Sequence, residues 1–131
     1  MVSRLEMVLK ELNENGNFRA SLFSTSTGLV LASQKDEDID ERVVAAMGSL
    51  LSDAAIKAAE EMDLSEPTIM KIFYKNDYII CKNIAINNDT SFLLAVLSKL
   101  PDSDEVEKYI DQLLQWAMEN SLDDLKKLSS I

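Results

Sequence analysis

The chain of 131 residues contains no histidine, one cysteine, two prolines and three glycines. Without histidine it lacks the commonest general base and the commonest metal ligand. A lone Cys81 excludes an intramolecular disulfide and a cysteine-rich metal site. Three scattered glycines cannot build a phosphate cradle, and neither the G-x-x-x-x-G-K-[ST] loop nor a Gly-x-Ser-x-Gly elbow is present. Basic residues are also scarce: 13 against 23 acidic ones leave a formal net charge of −10. That charge repels phosphate backbones and anionic headgroups, so the sequence argues against nucleic-acid and membrane partners. It favours encounter with partners that carry a basic patch.

Long hydrophobic runs are missing too. No stretch of 18 apolar residues is available to span a bilayer. The opening "MVSRLEMVLKELNENG" places charges every few residues and holds no apolar h-region. The expectation is one cytoplasmic domain over residues 1–131, with its core at about 3–98 and a C-terminal helix at about 103–128. In that setting the Asn88-Asp89-Thr90 sequon is a chance match.

Three helix starts carry a polar cap followed three residues later by glutamate: Ser3 with Glu6, Asp38 with Glu41, and Asp102 with Glu105. Leu5, Val8, Leu9 and Leu12 hold helical spacing until "NENGN". The second pattern continues to Met62, with Pro67 barring further extension. Val106, Ile110, Leu113, Leu114 and Ala117 form a third stripe, in a helix expected to bend or fray near "ENSLDD". Between helices the period falls to two. Phe18, Ala20 and Leu22 alternate with Arg19 and Ser21, and "GLVLAS" supplies a partner strand after Gly28, read as the turn. Residues 68–74, 78–86 and 91–98 are strand-like and separated by "KND" and "NNDT". The fold class is therefore α+β: a five-stranded antiparallel sheet with helices on both faces, in the order α-β-β-α-β-β-β-α.

The middle helix is too apolar for one buried face. Its low-charge arc covers about 240°, where an ordinary surface helix shows a stripe of about 100° or somewhat more. One side, with Val43, Val44, Met47, Leu50, Leu51, Ala54, Ala58 and Met62, is expected to meet the sheet. The other, with Gly48, Ser52, Ala55 and Ala59, is covered either by another element of this chain or by a second copy, since small residues let two helices approach closely. With few intrachain elements left over, the second copy is the favoured reading. The strand at 68–74, apolar on both faces, offers a sheet edge to the same partner.

A leading helix that ends in glycine, then "FRASLFSTSTGLVLAS", then "ERVVAAMGSLLSDAA" and three strands resembles the roadblock (dynein light chain) domain. The hairpin "TGLVLAS" and the helix "VVAAMGSLL" carry the likeness, while Asn13–Asn17 departs from the family's Pro-Gly-Val lead-in. The resemblance implies a roadblock/profilin-like fold and a non-enzymatic homodimer or heterodimer with a paralogue. It also implies regulation or scaffolding of a Ras-like small GTPase. By position it implies dimer contacts at Val44, Met47, Gly48, Leu51 and Ala55, with Ile69, Lys71 and Phe73 on the following strand. Ser52 and Ala59 join them from the small-residue stripe.

Enzyme readings find little footing. The hydroxyls at Ser24–Thr27 fit turn chemistry, and Cys81, mid-strand beside Ile79 and Ile80, fits a buried thiol. The acidic cluster at Asp36–Glu41 lacks the spacing and glycine of an EF-hand loop. Trp116 and Tyr109 on the last helix are read as packing residues. No catalytic residue, cofactor or metal is expected. The competing class is a small-molecule sensor of profilin/PAS-like architecture, which needs a cavity between sheet and helix.

Overall fold

The computed structural model describes residues 3–130; Met1, Val2 and Ile131 of the expected single-domain span lie outside the described residues. The elements are α1 (Arg4–Gly16), β1 (Ala20–Thr25), β2 (Val30–Lys35), α2 (Glu41–Met62), β3 (Ile69–Phe73), β4 (Asp77–Ala85), β5 (Ser91–Lys99) and α3 (Asp104–Ser129). This is the expected order. All pairings are antiparallel, and the five strands lie side by side as β2-β1-β5-β4-β3. The uninterrupted apolar run of β5 is explained by its central place, with both faces covered.

Two helix starts differ from expectation. Ser3 caps α1, accepting from the Glu6 amide at 3.1 Å. The cap of α2, however, is Asp40 rather than Asp38, and that of α3 is Ser103 rather than Asp102. The shift at α2 follows from packing. With Asp40 as the cap, Ile39 and Val44 take the positions of a hydrophobic staple, and both join the cluster beneath α2. Asp38 instead lies 3.6 Å from Arg19. The helix α3 does not fray at 119–124 but runs on to Ser129, with Ser121 and Leu125 fully buried along that stretch and the turn beyond.

The sheet has two unlike faces. Phe23, Ile80, Ile84, Phe92, Leu94 and Val96 point to one side, where α1 and α3 supply Leu9, Leu12, Leu114 and Leu125. Leu22, Ile79, Cys81 and Ala95 point to the other, beneath α2. The asparagines at the end of α1 have structural work. Asn13 donates to the Gln34 carbonyl at 3.0 Å and accepts from Ser21 Oγ at 2.6 Å, tying α1 to β1 and β2. Asn17 adopts the left-handed conformation that ends the helix, which starts β1 at Ala20 rather than Phe18.

Candidate interaction surface

The hairpin at Thr25–Leu29 sets the height of α2. Gly28 turns the chain at φ +95°, and a side chain added there would meet Ser49 and the Ala45 carbonyl. Ser49 Oγ in turn donates to the Ser26 carbonyl at 2.8 Å, fastening the helix to the turn. Further along, a Cβ at Gly48 would stand 3.3 Å from Cys81 Sγ and 3.8 Å from Leu93 Cδ1. The helix therefore rides low on the sheet, and it is the small residues that let it.

This reverses the expected facing of α2. Gly48, Ser52 and Ala59, assigned to a partner from sequence, are buried, as are Val44 and Ala45. Met47, Leu51 and Ala55 lie half-buried along the margin. Of the residues assigned to the sheet, only Val44 is buried there; Val43 is 56% exposed, Leu50 71% and Met62 61%, with Ala54 and Ala58 exposed between them. On the helix surface these form one stripe. Hydropathy periodicity shows two apolar faces but carries no sign saying which is inward. The signal that finds the outer stripe is the 43-47-50-54-58 spacing of apolar residues.

The strand β3 is the second component. It closes one end of the sheet, and among the described residues only β4 pairs with it. Asn83 donates to the Thr68 carbonyl and Tyr74 to the Asp77 carbonyl, so the ladder to β4 runs through residues 68, 70, 72 and 74. By alternation, the main-chain groups of Ile69, Lys71 and Phe73 point away from the sheet along an open edge. Phe73 is 56% exposed and stacks on Tyr78 with ring centroids 5.4 Å apart. Lys71 is engaged within the chain: its Nζ lies 2.9 Å from Asp111 Oδ1 and 3.7 Å from Glu107 Oε2 of α3.

Five-stranded order β2-β1-β5-β4-β3, one helix on one face and two on the other, is also the architecture of solved structures. Myxococcus xanthus MglB matches with a TM-score of 0.81 at 13% identity, covering 95% of this chain and 97% of its own. The fold is that of the Roadblock/LC7 domain. A Roadblock/LC7 domain from Streptomyces avermitilis matches at 0.79, with 14% identity over 94% of this chain and 98% of that one. An MglB structure described as having a tetrameric arrangement matches at 0.74, with 15% identity over 95% and 88%. No protein-family model and no curated protein matches the chain. At these identities the roadblock likeness is one of fold, and α3 is included in it.

Chemistry within the roadblock framework is sparse. The Cys81 thiol is buried, and burial pushes its pKa up to about 11, away from the thiolate. Tyr78 is pushed up to about 12, first by burial and then by the charges of Glu107 and Asp111. In the acidic loop the Arg42 side chain holds the Asp40 carboxyl below its usual range. Lys35 lies 3.7 Å from Glu41. Among the described residues no three acidic or cysteine side chains are grouped to hold a metal, and no helix is long and apolar enough to cross a membrane.

Proposed function

We propose that this chain is a non-catalytic, dimeric roadblock-type module that binds a Ras-like small GTPase in the cytoplasm and regulates or scaffolds it. The observation that carries the reading is the outer stripe of α2. Three large apolar side chains, each more than half exposed, lie on one helix, and β3 leaves an edge of the sheet open. A monomer that leaves such a surface in water is unusual, and a two-fold pair is the commonest closed solution. The tetrameric arrangement of one MglB of the same fold supports self-association. The contacts are reassigned accordingly to Val43, Met47, Leu50, Leu51, Ala54 and Ala58, together with the β3 edge.

The GTPase part of the reading rests on the likeness of hairpin and helix to the roadblock family. The mechanism is selection: a dimer that fits one switch conformation better than another shifts the partner's population by its differential affinity. The net charge of −10 favours a GTPase surface with a basic patch. The sensor alternative requires a cavity between sheet and helix; beneath α2 at Gly48 an added Cβ would already stand 3.3 Å from Cys81 Sγ.

The test is a thermal-shift and light-scattering series on the full chain with small GTPases loaded with GDP or with a slowly hydrolysed GTP analogue. Stabilisation by one loaded GTPase, in a nucleotide-dependent manner, is the expected result. Monomeric protein with no response to any GTPase, but with stabilisation by small molecules, would overturn it.

A further inference from the structure

The residues of β3 read Ile-Met-Lys-Ile-Phe from 69 to 73. An antiparallel pairing of this edge with its own copy is self-complementary in only one full-length register, with Lys71 on the two-fold axis. All five residues then find partners: Ile69 faces Phe73 of the copy, Met70 faces Ile72, and Lys71 faces Lys71. Four of the five positions make apolar cross-strand pairs, which stabilise a sheet. The fifth sets two ammonium groups opposite each other. A lysine on an edge strand is ordinarily the device that prevents such pairing.

Here the lysine is already neutralised from within. Its side chain is only 22% exposed and reaches back to α3, within 2.9 Å of Asp111 Oδ1 and 3.7 Å of Glu107 Oε2. From this geometry we infer that Asp111 and Glu107 of α3 act as a licence for edge pairing: they cancel the Lys71 charge and so permit β3 to join β3 of a second copy across the two-fold. With α3 seated, two carboxylates more than offset the Lys71 ammonium, so the edge carries no uncompensated positive charge; with its acids removed, the same edge carries one at its centre. The helix thereby gains a role at the interface without supplying a contact across it. Phe73, held flat by its stack on Tyr78, fixes the flanking Ile69 pair from the same side. The inference rests on the dimer reading above and concerns its control.

Sedimentation equilibrium of the full chain tests it with three proteins: wild type, the double variant Glu107→Gln with Asp111→Asn, and the same double variant carrying Lys71→Met. Wild type should dimerise. The double variant should dissociate about fivefold more readily, and the triple variant should return to wild-type affinity. Recovery in the triple variant, which lacks the same acids, separates the charge effect from damage to α3. Slow hydrogen exchange of the Ile69, Lys71 and Phe73 amides in the dimer is the accompanying signature. A wild type that is monomeric at tens of micromolar overturns the dimer reading itself. A dimeric wild type whose affinity the double variant leaves unchanged overturns this inference alone. So do a triple variant as weak as the double and fast exchange of those three amides in the dimer.

Discussion

The two faces of the sheet are covered in opposite ways. On one, two helices lay large side chains over Phe23, Ile80, Phe92 and Leu94, and the layer is thick. On the other, a single helix presents glycine, serine and alanine to Leu22, Cys81 and Ala95, and the layer is thin. The thin side teaches more about function. A helix that approaches a sheet closely must turn its small residues inward, and whatever large apolar residues it carries are then displaced outward. Inward packing and outward apolar exposure are thus set together on one helix, and close approach decides which residues take which side.

The largest expected effects come from the thick side. Leu94 is fully buried at the centre of the sheet, and Leu94→Ala should cost about 2–5 kcal/mol through lost transfer energy and an unfilled cavity. Chemical denaturation reads this directly. A loss near zero would mean that α1 and α3 do not pack as described.

On the thin side the expected damage runs the other way, from overfilling. A Gly48→Leu change inserts a branched side chain where even a Cβ sits 3.3 Å from Cys81 Sγ, so α2 must lift; the cost is about 1–3 kcal/mol. Gly48→Arg adds a charge to the same gap. Both variants therefore test folding rather than assembly, and a dimer-deficient but fully stable Gly48→Arg would refute the inward placement of this face.

Titration separates the two faces next. Cys81 lies on the thin side with its pKa raised to about 11 from an ordinary 9.0; Tyr78 lies on the thick side, raised to about 12 from 10.0. Both are neutral when folded and lose protons more readily once unfolded, so each contributes stability fully below its unfolded pKa and loses it as pH rises through the folded one. Melting temperature should fall first from Cys81, between pH 9 and 11, and, overlapping it, from Tyr78, between pH 10 and 12. Cys81→Ala should remove the first step and spare the second. A variant with an unchanged first step would show that the buried thiol does not carry it.

Much of this molecule can be read without coordinates. Strand runs, the Gly28 turn and the order of elements follow from local chemistry, because alternation and φ requirements act over a few residues. The cap of α2 does not, since Ile39 must reach a core built by distant strands before Asp40 outcompetes Asp38. The interaction surface is half legible for the same reason. Sequence shows that α2 has two apolar faces, and the roadblock resemblance implies, without showing it, that Met47, Leu51 and β3 border a partner. The inward face is chosen by clearance above Cys81 and Leu93, which no single helix encodes.

The finest test of the comparison uses the residue that the thin side leaves out. Leu50 is 71% exposed, so Leu50→Ala should change the stability of the isolated fold by no more than about 0.5 kcal/mol. Leu50→Asp should do little more to the monomer, since its carboxylate stays in water. In the assembled state the same carboxylate would be buried without a partner, and its desolvation should shift the population to monomer. Light scattering against denaturant midpoint, on the same samples, separates the two quantities. If Leu50→Asp lowers stability as much as Leu94→Ala does, the outer stripe is core and the division between the two faces is lost. If it lowers neither stability nor mass, the stripe is only surface, and a helix that turns its small residues inward need not be saving its large ones for a second copy.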